Sequence, residues 1–270
     1  YIFKKWNMKE VIMMKETVRI KNECNEELCV EKYTSSNAKA TIVFCHGITG
    51  CRKGRTMNDD YFQILALLLE NRGYNVVLFD YSGHGESEGE DKDVCISKSV
   101  SELKTVFENV VNSDLQVHFL AFSYGAAVLN DFLAENPNIV PKSMVLYSPC
   151  IFPLDSCFLT DKSVFGKDVY KEYSDGTMKK AGYATVGVKG FRLGMKMIEE
   201  CRSFSPDTLA KFSDRILVLS GRNDVILDTS YNTQFCGENH IENIWLDASH
   251  SLYEEIGKAF DNTINYFELK

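Results

Sequence analysis

The sequence is most informative at first for what it is missing. No apolar run approaches the ~20 residues that a membrane-spanning helix needs. The opening stretch, YIFKKWNMKEVIMMKETV, carries lysines with no continuous apolar segment behind them. It does not read as a signal peptide. There is no excess of positive charge: 30 Lys and Arg stand against 38 Asp and Glu, a net charge of −8, with both signs mixed along the chain. That excludes an electrostatic footprint for nucleic acid. There is no C-x-x-C pair and no N-x-S/T sequon. The nine cysteines are odd in number and irregularly spaced, and Cys45 sits inside an apolar run. They read as reduced core thiols of a cytoplasmic protein, not as a disulfide framework or a zinc site. Nucleotide-binding loops are missing too. GHGESEG has the spacing G-x-G-x-x-x-G, and GITGCRKGRT lacks the phosphate-loop register. Neither supports a nucleotide cofactor.

What is present is a chain of 270 residues, 44% hydrophobic. That suits one large α/β domain, or a domain with an insertion. ATIVFCHG (40–47), YNVVLFD (74–80), LQVHFLAF (115–122), KSMVLYSP (142–149), RILVLSG (215–221) and, less purely, HIENIWLD (240–247) are near-continuous apolar runs. Such runs suit strands buried on both faces of a mostly parallel sheet. Helical patterns alternate with them over 59–73, 95–111, 124–137 and 251–270. Two earlier runs, ETVRIK and ELCVEKY, alternate polar and apolar residues and read as an antiparallel start. The order predicts an open sheet with helices on both faces.

Residues 152–205 break this rhythm. They hold several glycines, eight Phe and Tyr residues and no clear strand, with nine Lys and Arg against seven Asp and Glu. We read them as a mostly helical lid inserted into a core formed by 1–151 and 206–270. An ordinary pair of helices packed on the sheet is the plainer alternative.

The chemistry centres on Ala121-Phe122-Ser123-Tyr124-Gly125. Small residues two before and two after a serine, between an apolar strand and a helix, suit a nucleophile elbow. The helix N-terminus behind the serine favours a developing anion. A plain helix cap would also explain the serine. A nucleophile needs a base and an oxyanion site. CHGITG supplies a turn whose Ile48 N–H can face a substrate oxygen, and the Tyr124 N–H would be the second donor. Among the five histidines, His118 lies mid-strand, His84 lies in a turn-rich loop, His240 begins a strand and His46 shapes its loop. His250, in DASHSLYEE, falls between the last strand and the last helix, where a base facing the elbow belongs. Asp224, just after strand 215–220, is the candidate orienting acid. Asp228 competes with it, although capping of a following helix explains Asp228 well.

FCHGITG, LFDYSGHGESEG, AFSYG, SGRNDVI and ASHSLY, in this order, resemble the α/β-hydrolase superfamily. The chain is most similar to the lid-bearing branch of monoacylglycerol lipases, cinnamoyl or feruloyl esterases and serine aminopeptidase-like hydrolases. The resemblance implies an α/β-hydrolase fold with a mostly parallel central sheet, flanking helices and a helical lid. It implies Ser123 as nucleophile, His250 as base, Asp224 as acid, Ile48 and Tyr124 as oxyanion donors, and no cofactor or metal. The expected substrate is a small-molecule ester of a small to medium apolar acyl or aryl group. A thioester substrate with thioesterase or acyltransferase chemistry is the alternative, and so is a non-catalytic binding protein using the same pocket.

Overall fold

The computed structural model describes residues 15–56, 58–187 and 190–270. Ten strands run in chain order as β1 (Lys15–Lys21), β2 (Glu27–Tyr33), β3 (Ala40–Cys45), β4 (Tyr74–Phe79), β5 (Gln116–Phe122), β6 (Ser143–Tyr147), β7 (Tyr183–Val186), β8 (Phe191–Gly194), β9 (Ile216–Gly221) and β10 (Glu242–Leu246) among the described residues. Eight of them form one sheet in the order β1-β2-β4-β3-β5-β6-β9-β10. The β1–β2 and β2–β4 pairs are antiparallel, and every later pair in the sheet is parallel. The alternating first strands and the continuous apolar later ones therefore meet the roles their patterns predict.

Buried strands need apolar side chains on both faces, and β3 and β5 supply them by alternation. Val43, Cys45, Phe119 and Ala121 enter one hydrophobic cluster, while Ile42, Phe44, Leu120 and Phe122 enter the other. Helices α1 (Tyr61–Glu70), α2 (Ile96–Val110) and α3 (Tyr124–Glu135) follow β3, β4 and β5. The first cluster is covered by α2 and α3, the second by α1. The chain leaves β3 for β4 on one side and returns to β5 on the other. This reversal opens a crevice at the carboxyl ends of β3 and β5, where ligands of such sheets bind.

Between β6 and β9 lie α4 (Val164–Ser174), α5 (Thr177–Ala181) and α6 (Met195–Cys201). The expectation of no strand in this stretch is corrected: β7 and β8 form an antiparallel hairpin, pairing Tyr183 with Gly194 and Val186 with Phe191. Each strand is only four residues long, and glycines 187 and 190 adopt positive φ in the turn between them. The glycines that read as breaks are what the turn requires. α7 (Asp207–Lys211) leads into β9, and α8 (Ser230–Glu238) and α9 (Ile256–Leu269) follow it, the last completing the cover over the second cluster. His240 does not begin β10. It sits in the turn two residues earlier, with φ of 55°.

Candidate active site

Ser123 sits between the last residue of β5 and the first of α3, with φ 52° and ψ −119°. A non-glycine residue in this region is strained, and surrounding bonds must hold it there. They do. The Ser123 N–H donates to the Tyr147 carbonyl at 2.9 Å, and its own carbonyl accepts from Ala126 and Cys150, both at 3.0 Å. The serine side chain makes no capping hydrogen bond, so the plain helix cap does not describe this residue. Gly125 explains the small residue two positions on. A Cβ there would collide with the Cys45 carbonyl oxygen, so only glycine lets α3 lie this close to the end of β3.

Asp224 follows β9 and His250 follows β10. The His250 Nδ1–H donates to Asp224 Oδ2 at 2.7 Å. The other carboxylate oxygen, Oδ1, accepts the backbone N–H groups of Ile226 at 2.8 Å and Leu227 at 3.0 Å. In the neutral imidazole, this bond leaves the lone pair on Nε2. The imidazole lies against the Phe122 ring, with centroids 5.1 Å apart. Asp228 is engaged elsewhere: Oδ1 accepts from the Ser230 N–H and hydroxyl, and Oδ2 pairs with Lys162 at 2.7 Å. The structure therefore brings Asp224, and not Asp228, to His250.

Ser123 and His250 open onto one cavity of about 330 Å³. Ile48 lines it, as do Phe122, Cys157 and Phe165. Tyr124 is the first residue of α3, where backbone N–H groups lack intrahelical partners. Its side chain points away into the core, where the hydroxyl donates to Ser99 at 3.0 Å. Phe165 and Cys157 were legible in the sequence only as members of an aromatic-rich segment, since no spacing ties them to the elbow.

Of the other four histidines, His240 is exposed, and His46, His84 and His118 are buried away from this chemistry. The His46 Nδ1–H donates to the Gly47 carbonyl at 2.8 Å, and Nε2 accepts the Tyr81 N–H at 3.1 Å. Burial pushes its pKa down to about 4. His84 donates from Nδ1 to the Ser82 carbonyl at 3.0 Å, and burial, helped by His46, pushes it down to about 3. His118 meets Ser143 Oγ at 2.7 Å and is pushed down to about 4 by burial. All three are neutral at ordinary pH. Among the described residues, no group of three or more His, Cys, Asp or Glu is arranged to hold a metal ion.

Comparison with known proteins bears on the fold. Residues 36–164 match the Hydrolase_4 family model, described as serine aminopeptidase, S33. No curated protein matches the sequence. Solved structures sharing the fold include alpha/beta hydrolase domain-containing protein 10 from mouse, with a TM-score of 0.68, 14% identity, and coverage of 94% of this chain and 98% of that one. An esterase from Pyrococcus furiosus aligns with a TM-score of 0.64 and 19% identity, over 99% of this chain and 93% of its own. Est1E from Butyrivibrio proteoclasticus, solved with ferulic acid bound, gives 0.67 and 14% over 93% and 98%. The chain has the α/β-hydrolase fold. The family match supports a hydrolase. Among the described residues, no helix is long and apolar enough to cross a membrane.

Proposed function

We propose that this chain is a serine esterase that cleaves carboxylic esters of small to medium apolar acyl or aryl groups. One observation carries the reading: the Asp224–His250 bond of 2.7 Å stands at a cavity that Ser123 also lines. In the proposed reaction, Ser123 Oγ attacks the acyl carbonyl while His250 Nε2 takes its proton. Asp224 holds the imidazole tautomer and stabilises the imidazolium. The developing oxyanion is met by the N–H groups of Ile48 and Tyr124, each contributing roughly 3–4 kcal/mol. His250 returns its proton to the leaving alcohol. It then activates water, which releases the acid from the acyl-enzyme and restores Ser123.

The substrate class rests on the cavity wall. Phe122, Phe165, Val225 and Ile226 give it a mainly apolar surface. We assign residues 152–205 as the lid. Two supports are the placement of Cys157 and Phe165 in that wall and the bonds of the stretch to the Asp224 loop. The Val164 N–H donates to the Val225 carbonyl at 2.9 Å, and the Asp228 N–H to the Ser156 carbonyl at 2.8 Å. A cytoplasmic location is proposed from nine free thiols, eight of them buried.

The test is a panel of p-nitrophenyl esters from acetate to laurate, with methyl ferulate and an acyl-CoA alongside, on wild type and Ser123→Ala. The reading expects turnover of short and medium esters, lost in the variant. Preference for the acyl-CoA would move the assignment to a thioesterase. No turnover of any substrate would remove the enzyme reading in favour of a binding protein.

A further inference from the structure

The motif LFDYSGHGESEG takes no part in the proposed chemistry, yet it surrounds a buried charge. Arg52 and Asp80 are 4% and 0% exposed. The Arg52 backbone N–H donates to Asp80 Oδ1 at 2.6 Å, and its guanidinium pairs with Asp80 Oδ2. The same guanidinium meets Glu31 at 3.0 Å and Glu86 at 2.6 Å. Asp80 is held in turn. The Glu86 N–H donates to Oδ2 at 2.9 Å, and the Ser87 hydroxyl donates to the Asp80 carbonyl at 2.6 Å. A Cβ at Gly85, where φ is +53°, would collide with the Asp80 carboxylate. Gly85, Glu86 and Ser87 of the motif thus form a cradle for one aspartate.

That aspartate stands beside the turn that carries Ile48. His46 opens the turn and is anchored by the Tyr81 N–H, and Arg52 follows it and is anchored by Asp80. Two neighbouring residues after β4 therefore clamp both ends. Between them, the Gly47 carbonyl accepts from His46 Nδ1 at 2.8 Å and from the Gly50 N–H at 3.0 Å. In a trans peptide, fixing the carbonyl direction fixes the N–H of the next residue, here Ile48. Thr49 is held at φ 64°, a strained value that needs such support.

We propose that Asp80 and Arg52 are a positioning pair: their buried ion pair holds the Gly47–Gly50 turn so that the Ile48 N–H faces the cavity. The consequence for catalysis rests on the esterase reading; the clamp itself does not. The test uses the full chain, with Asp80→Asn and Gly85→Ala to release the clamp and Arg52→Lys as a milder change that keeps the charge but loses the planar fork. Amide hydrogen exchange, read by mass spectrometry, should rise about tenfold or more over residues 46–52 in folded variants and stay unchanged over 223–228. With an ester substrate, kcat should fall ~10–100-fold with KM within about twofold, because an oxyanion donor acts mainly in the transition state. Arg52→Lys should show the same pattern at smaller size. Unchanged exchange over 46–52 in a folded variant overturns the clamp. Altered exchange with kcat and KM both unchanged overturns its role at Ile48. A wild type without esterase activity defeats the esterase reading, and the exchange measurement still decides the clamp.

Discussion

Helix α3, directly behind Ser123, buries nine of its 12 residues; helix α4, which carries Phe165 to the cavity, buries two of 11. Both contribute to one site, but under different constraints. The first is fixed by the sheet beneath it, by Gly125 against β3 and by the bonds around Ser123. The second rests on Gly166 and Val169 and on its cap, where Ser163 Oγ accepts the Gly166 N–H at 3.0 Å and donates to the Ile226 carbonyl at 2.6 Å. Groups that must meet a reacting atom within tenths of an ångström sit on the rigid side. In the proposed reaction, the cavity wall formed by Phe165 sits on the lightly packed side. Changes on the first should abolish activity, and changes on the second should retune it.

The largest expected effect is that of Ser123→Ala, which should lower kcat on a p-nitrophenyl ester by on the order of 10⁶-fold, as loss of a triad nucleophile does elsewhere. Circular dichroism should show the fold intact. Asp224→Asn should cost ~10⁴-fold through the wrong histidine tautomer, with KM little changed. A drop of less than about tenfold in steady-state kinetics would break the assignment of the acid.

Paired phenylalanine truncations address the comparison itself. Phe132, fully buried on the inner face of α3, should cost about 3–5 kcal/mol in chemical denaturation when replaced by alanine. Phe165→Ala should cost less than about 1.5 kcal/mol and shift the preferred acyl length, with ratios of kcat/KM moving ~10-fold or more. Equal destabilisation by both, with no change in the acyl profile, would dissolve the contrast.

The smallest effect concerns acid. His46, His84 and His118 have folded pKa values pushed by burial to about 4, 3 and 4, below the usual histidine value of 6.5. Below pH 6.5 the unfolded chain binds more protons than the folded one. Their contribution is complete above that pH and is lost as pH falls toward 4. His118→Gln should flatten the fall in Tm between pH 7 and pH 5. An unchanged slope would argue against His118 being neutral in the fold.

The frame of this molecule was legible because its strands are buried on both faces. Runs such as ATIVFC and QVHFLAF permit little else once glycine and helical periodicity flank them. Asp224 and His250 were legible because each closely follows a strand. The β7–β8 hairpin was not, since two four-residue strands around a glycine turn leave no run long enough to show a period. The Arg52–Asp80 pair was equally hidden. Its members lie 28 positions apart, and nothing in GHGESEG announces that Gly85 makes room for the Asp80 carboxylate. Helical periodicity also overran the start of the last helix. The predicted start at 251 meets Leu252 at φ 56° and a single turn at Tyr253–Glu255 before α9 begins at Ile256.

The most direct test of the central claim is labelling with a fluorophosphonate, followed by peptide mapping. The account predicts one adduct, on Ser123, formed in the wild type and suppressed in His250→Ala at equal folding. An adduct on another residue, or none on a folded wild type, would contradict the assignment of Ser123 and His250 as nucleophile and base.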